Sequence, residues 1–154
     1  MSSTQFQFFE LKTPADLFCK LEGDLVALES SYQDTRVAFN FFVTAEHIPD
    51  WLGKRDLIRQ HAILRIVSHI ANGAKHFVLS DRRHKSVTST EKSRYIEDGY
   101  FEPGYFHEPL LIHLSPDEAR EMNAPMIDAV TLGRQVIEFW RQHIPKGNEV
   151  GPKH

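Results

Sequence analysis

One segment constrains the fold more than any other: residues 56–72 are strongly apolar, yet a row of hydrogen-bonding side chains runs through them. The apolar residues recur at helical spacing, which predicts a helix from Asp56 to about Asn72, with Gly73 placed to end it. The polar residues are three or four apart, so they lie along one face. They are His61, Arg65, His69, Asn72 and, at the exit, His76. A buried polar group without a partner costs about 1–3 kcal/mol, so another part of the protein or a ligand must satisfy this row.

A second polar row lies on the preceding segment. Residues 33–52 are apolar nearly all round, which predicts the most buried helix of the fold, and Gly53 is placed to end it. The same spacing recurs on it in Asn40, Thr44, His47 and Trp51. Only a few residues separate the two segments, so the two helices are expected to form an antiparallel hairpin. Their polar rows would then face each other or share a cleft, with His47 near His61 and Asn40 near His69 or Asn72.

Three further helices follow from capping signals. Thr13 and Pro14 start a helix that runs to about Ser30. Ser115, with Glu118 three residues later, is typical of a capping box and starts a short helix. Residues 128–143 form the last long helix.

The stretch between the long helices has strand-like content. Strands are predicted at 77–79, 87–88 and 110–114, around a polar turn. The predicted fold is therefore mainly α: a bundle of about four main helices, with a small β-hairpin or strand insertion near 77–114 between the third and fourth. We expect one domain over residues 1–145 and a disordered tail over 146–154.

Composition limits the class of protein. A chain of 154 residues with 41% hydrophobic residues can bury one core without disulfides. Cys19 is the single cysteine, which excludes an intrachain bridge, suits a reducing cytoplasm, and is expected in the core. No leader or apolar run long enough for a membrane span is evident. We therefore expect a cytoplasmic protein without a membrane partner.

Charge is concentrated in one segment. Residues 75–94 carry six Lys or Arg and two acids, although the whole chain has a net charge of -3. Such a segment is usually a solvated hairpin, but Arg82, Arg83 and Lys85 can also contact the phosphates of a nucleic acid. The aromatic residues of 95–107 favour packing or self-association over stacking on bases.

The polar rows permit three functions. They can fix helix register or bind a small ligand, and the residues concerned are Asn40, Thr44, His47, His61, Asn72 and Lys75. Alternatively, Arg65, His69 and His76 can cleave a phosphodiester, because His exchanges protons near neutral pH and Arg holds phosphate.

The third function is metal binding. His47, His61 and His69 with Glu46 or Asp50 have suitable donor atoms. Histidines eight residues apart on a helix span two turns, however, and no paired metal motif is present. The sequence therefore assigns no metal and no cofactor.

Three blocks carry a resemblance to known proteins. They are residues 39–47 (FNFFVTAEH) with Asp50-Trp51, residues 70–77 (IANGAKHF), and residues 127–129 leading to Phe139-Trp140. In these blocks the chain resembles an uncharacterised family of small bacterial helical proteins. That resemblance supports the fold and brings no activity with it.

The helical hairpin also resembles the HEPN superfamily, which includes ribonucleases and inactive dimerising modules. Its active motif is an Arg and a His separated by four to six residues, with a polar residue after the Arg. Here three residues separate Arg65 from His69, and Ile66 follows the Arg. This departure fits an inactive relative or no relation. The leading hypothesis is thus a homo-oligomeric interaction or small-ligand-binding module, and the rival is a metal-independent ribonuclease or nucleic-acid binder.

Overall fold

The computed structural model describes residues 11–75, 87–92 and 109–145, which form six helices and three short strands. In chain order these are α1 (Pro14–Ser30), α2 (Thr35–Leu52), α3 (Asp56–Gln60), α4 (Ala62–Lys75), β1 (Val87–Lys92), β2 (Leu110–Leu114), α5 (Pro116–Met122), β3 (Met126–Asp128) and α6 (Ala129–His143). The predicted strand at 77–79 and the predicted tail at 146–154 lie outside the described residues.

The four long helices, α1, α2, α4 and α6, enclose one hydrophobic core. Trp140 of α6 and Phe41 of α2 are fully buried, together with Leu21 of α1 and Ile66 of α4. Burial of such side chains contributes about 1.5–3 kcal/mol each. The apolar side chains that helical periodicity places on the inner faces are therefore the main source of stability. The mainly α bundle predicted from the sequence is confirmed.

The predicted third helix is divided in two. His61 adopts an extended conformation, with φ -131° and ψ 122°, between α3 and α4. The new helix start is capped from outside, because a carboxylate oxygen of Glu121 on α5 accepts from the Ala62 N–H at 2.5 Å. The predicted end at Gly73 is also wrong, since α4 continues to Lys75. A tertiary contact therefore overrides a pattern that looks continuous in the sequence.

The strands form one antiparallel sheet in the order β1-β2-β3. β1 and β2 lie between α4 and α5, as predicted, and a register shift interrupts their pairing between Val87 and Ser89. β3 was not predicted, because three residues are too few to show alternation. It pairs with β2 after α5 has intervened, and Ile127 lies opposite Ile112 with both side chains buried.

Helix ends agree with the capping signals in two places. Thr13 and Asp16 form a reciprocal capping box at the start of α1. Gly53 ends α2 with φ 65°, in the left-handed region that favours glycine.

Two predictions about single residues are corrected. Ser115 caps α5, but the Glu118 side chain does not complete a capping box and is buried instead. Cys19 is exposed, because the core-facing side of α1 is formed by its leucines.

Among the helices of the described residues, none has both the length and the apolar character needed to cross a bilayer.

Two helical glycines provide a matched test of the packing. Gly133 of α6 is buried, and an added Cβ would lie 3.1 Å from Leu25 Cδ1 and 3.3 Å from the Phe41 ring. Gly23 of α1 is exposed, and a Cβ there would meet nothing within 4 Å. We expect Gly23→Ala to raise the free energy of unfolding by about 0.5–1 kcal/mol through helix propensity. Gly133→Ala should show no such gain, because the close contacts offset the same propensity. Equal stabilisation of both variants in urea unfolding would contradict the close approach of α6 to α1 and α2.

Candidate functional site

The two polar rows do not face each other. Asn40 and Thr44 turn toward α1, where Lys20 Nζ donates to Thr44 Oγ1 at 2.9 Å and to Asn40 Oδ1 at 3.4 Å. Lys20 also pairs with Asp24 one turn further along its helix. The polar row of α2 is therefore partly satisfied by α1. This corrects the expectation that the α2 row packs against the polar row on α4.

Arg65 is held by α5. Its Nε lies 2.9 Å from Glu118 Oε1, its Nη2 lies 3.0 Å from Glu121 Oε1, and its Nη1 donates to the Arg59 carbonyl at 2.7 Å. Glu118 is 5% exposed, so Arg65 provides its charge partner within the core. Desolvation raises the pKa of Glu121, but the Ala62 N–H and Arg65 outweigh it and hold that pKa below its ordinary value. The contacts explain Arg65 as a structural clamp between α4 and α5.

The histidines are dispersed. The His61 ring packs edge-on against Phe139 of α6 at 4.8 Å, and its centroid lies 6.0 Å from that of His143. His69 Nδ1 accepts from the Val87 N–H of β1 at 3.1 Å. His47 is exposed on α2.

This dispersal bears on the metal hypothesis. The described part of the chain contains no group of three or more potential metal ligands. His47, His61 and His69, which are all described, therefore do not form such a group with Glu46 or Asp50.

Several predicted site residues lie outside the described residues. His76 and the basic residues Arg82, Arg83 and Lys85 are not among the described residues, nor is the aromatic segment 95–107. Lys75 is the last residue of α4. Phosphate contact through these residues therefore stays a prediction.

A cleft of about 280 Å³ lies between α2 and α4 and contains the best candidate site. Within the described residues, it brings together a residue from each predicted row, His47 and Asn72. Its lining is amphipathic: Phe39, Val43 and Ala71 are apolar, whereas Glu46, His47, Asp50, Arg55 and Asn72 are polar. The α2 residues of this lining recur at i, i+4, i+7, i+8 and i+11 from Phe39 and form one face of the helix.

Glu46 occupies the polar side of the cleft, with its side chain 12% exposed. Ser68 Oγ donates to Glu46 Oε1 at 3.0 Å from α4, and Arg55 Nη2 lies 3.3 Å from the same oxygen. Desolvation raises the pKa of Glu46 above its ordinary value, although the bonds from Ser68 and Arg55 act in the opposite direction. The carboxylate is thus held at an energetic cost, a condition typical of functional groups.

Arg55 ties the carboxylates of the cleft together. It follows the left-handed Gly53 in the turn after α2, which brings its side chain back along that helix. Its Nη1 lies 2.8 Å from Asp50 Oδ1 while Nη2 contacts Glu46. One guanidinium between two carboxylates leaves this side of the cleft one negative charge in excess when both acids are ionised.

Sequence reasoning missed several members of this site. Glu46 and Asp50 appeared only as alternative metal ligands, while Phe39, Arg55 and Ser68 were not assigned any role. A signal was available for Phe39, because it lies four residues before Val43 and eight before His47 on one helix face. No comparable signal exists for Arg55, whose role depends on the turn at Gly53.

Comparisons of the chain with protein-family models, with curated proteins and with solved structures find no match. The resemblances drawn from the sequence blocks therefore stay predictions, and the site is interpreted from its own geometry.

The Arg65 clamp yields a stability test. Arg65→Ala leaves the nearly buried Glu118 without its charge partner, so we expect the free energy of unfolding to fall by about 3 kcal/mol. Arg120→Ala is the matched control, because Arg120 pairs with the exposed Asp117 and its loss should change stability by less than about 0.5 kcal/mol.

A second variant separates structure from function at this position. Replacing both partners, as Arg65→Ala with Glu118→Leu, should recover part of the lost stability because no buried charge remains. If Arg65→Ala were no more destabilising than Arg120→Ala in chemical unfolding, the clamp would be refuted and Arg65 would need another role.

Proposed function

We propose that this protein is a helical module that binds a small molecule in the α2–α4 cleft. The observation that carries the proposal is Glu46, a largely buried carboxylate on the wall of an amphipathic cleft. A residue retained only for stability at this position would be better apolar, because burial of a charge is seldom repaid in full. Contact between the Glu46 carboxylate and a ligand would explain why the free-energy cost of burying this charge is tolerated.

The shape and chemistry of the cleft support a small ligand. Its volume of about 280 Å³ is close to the roughly 300 Å³ of the smallest ligand pockets. Its lining combines apolar side chains with polar groups that can orient a ligand, as such pockets do. The exposed ring of Phe39, 47% accessible, offers apolar contact area at the cleft edge.

Self-association is a second candidate function. Phe39 and Trp51 are both on α2, three turns apart at four-residue spacing through Val43 and His47, and Trp51 is 41% exposed. Exposed aromatic residues are enriched in protein interfaces. A homo-oligomer formed through this row would cover part of the cleft, so the two functions compete for one surface.

The proposed location is the cytoplasm, which suits a chain with one cysteine. A nucleic-acid partner remains a prediction. It depends on the basic residues of 75–94 and is independent of the cleft.

The binding function is tested by amide NMR of the full chain. Single-ring compounds bearing ammonium, hydroxyl or carboxylate groups are titrated to millimolar concentration. We expect at least one to cause saturable shifts concentrated in α2 residues 39–50 and at 71–72. Val43→Trp should abolish these shifts by filling the cleft, whereas Val26→Trp, the same change at a 64% exposed position of α1, should preserve them.

Two results would contradict the proposal. One is the absence of saturable cleft shifts for every compound, and the other is their persistence in Val43→Trp. Shifts at Phe39 and Trp51 that depend on protein concentration alone would favour self-association instead.

A further inference from the structure

We propose that the ligand of the α2–α4 cleft is a small organic cation, a primary amine attached to an aromatic or similarly compact apolar body. This inference rests on the proposed binding function and specifies its ligand class. It follows from the acceptors, the charge and the apolar wall that the described residues place on one cleft.

The polar residues of the cleft lining offer hydrogen-bond acceptors. In the described residues, the hydrogen bonds to Glu46 end on Oε1, and the bond to Asp50 ends on Oδ1. Each carboxylate therefore keeps a second oxygen that no described donor reaches. Asn72 Nδ2 donates to the Ser68 carbonyl at 2.7 Å, which leaves Oδ1 of the same amide as an acceptor. An ammonium group has three donors and no acceptor, so it matches such a wall.

The charge of the wall favours a cation. Glu46 and Asp50 carry two negative charges when ionised, and Arg55 is the charged residue of the cleft lining that offsets them. An ammonium would neutralise the remaining charge in a partly desolvated place, where charge-assisted hydrogen bonds are strong.

The same arrangement disfavours an anion. The two terminal nitrogens of Arg55 already contact Asp50 and Glu46 at 2.8 and 3.3 Å. A phosphate or carboxylate ligand would share the guanidinium with these partners and would lie beside two carboxylates. Repulsion from the carboxylates opposes such binding.

The apolar residues of the lining account for the apolar body. They are Phe39, Val43 and Ala71, and Phe39 is about half exposed. A ring or short alkyl group placed here removes apolar surface from water. The proposed ligand therefore has its positive end toward Glu46 and its apolar end toward α2 residue 39.

The test compares three ligands that share one phenyl body: 2-phenylethylamine, 2-phenylethanol and 3-phenylpropionate. Dissociation constants are measured at pH 7 by amide NMR on the full chain. We expect the amine to bind at least about tenfold more tightly than the alcohol or the carboxylate, the ratio that one charge-assisted contact provides. Equal affinities, or tighter binding of the carboxylate, would overturn the cation assignment while leaving the binding function intact. Failure of these and all other compounds to occupy the cleft would overturn both.

A matched pair of variants assigns the effect to Glu46. Glu46→Gln keeps the shape of the side chain and removes its charge, so the amine should lose about tenfold in affinity while the alcohol is unaffected. Glu22→Gln makes the same charge change on α1, where Glu22 pairs with Arg141, and should leave both ligands unchanged. An equal loss for amine and alcohol in Glu46→Gln, or a loss of amine binding in Glu22→Gln, would contradict a specific ammonium contact.

Discussion

The hydrogen bond from Ser68 to Glu46 joins α4 to α2, two helices of the core, and the position of the cleft depends on this bond. α2 and α4 pack through apolar residues on their inner faces, including Phe41, Ile66 and Val67. At the solvent edge of that contact the apolar packing gives way to the Ser68–Glu46 pair. Polar and apolar side chains both line this edge. The contact between α2 and α4 that completes the core therefore also creates the amphipathic cleft.

Two clusters of charge in this protein have different physical roles. In the first, Arg65 contacts Glu118, Glu121 and a backbone carbonyl, so its donors are largely used within the protein. In the second, Arg55 contacts Asp50 and Glu46 but leaves one oxygen of each carboxylate without a described donor. The first cluster fixes α5 against α4. In the first cluster Glu118 Oε2 also has no described partner, but that oxygen is buried, whereas the second cluster lies on a cleft. The function is therefore placed at the second cluster.

Much of the fold could be predicted from the sequence because helical periodicity is a local signal. The spacing of leucines on α1, the apolar run of α2 and the caps at Thr13 and Gly53 all depend on neighbours within a few residues. The interruption at His61 could not be predicted in this way. It depends on Glu121, which is sixty residues later in the sequence and caps the start of α4 through the Ala62 N–H.

The candidate site was predictable only in part, for a related reason. The polar rows were recognised correctly as residues that need partners, and His47 and Asn72 do line the cleft. Which partner each residue meets is a tertiary question: Thr44 meets Lys20 of α1, and Arg65 meets Glu118 of α5. Periodicity places residues on a helix face, but it does not identify the element that covers that face. The expectation that the rows face each other was therefore wrong for Thr44 and Arg65, whereas His47 and Asn72 do share a cleft.

The pKa of the Glu46 carboxyl, free and with an amine bound, tests the central claim most directly. It is measured by a carboxyl-carbon NMR titration of the full chain, with the resonance assigned by its loss in Glu46→Gln. Desolvation should place the pKa of the free protein above the ordinary value of 4.5. Bound 2-phenylethylamine should lower that pKa, because a cation favours the ionised form, and by linkage the amine should bind more tightly as the pH rises through it. A free-protein pKa at or below 4.5, unchanged by saturating amine, would contradict a desolvated carboxylate that receives a cation.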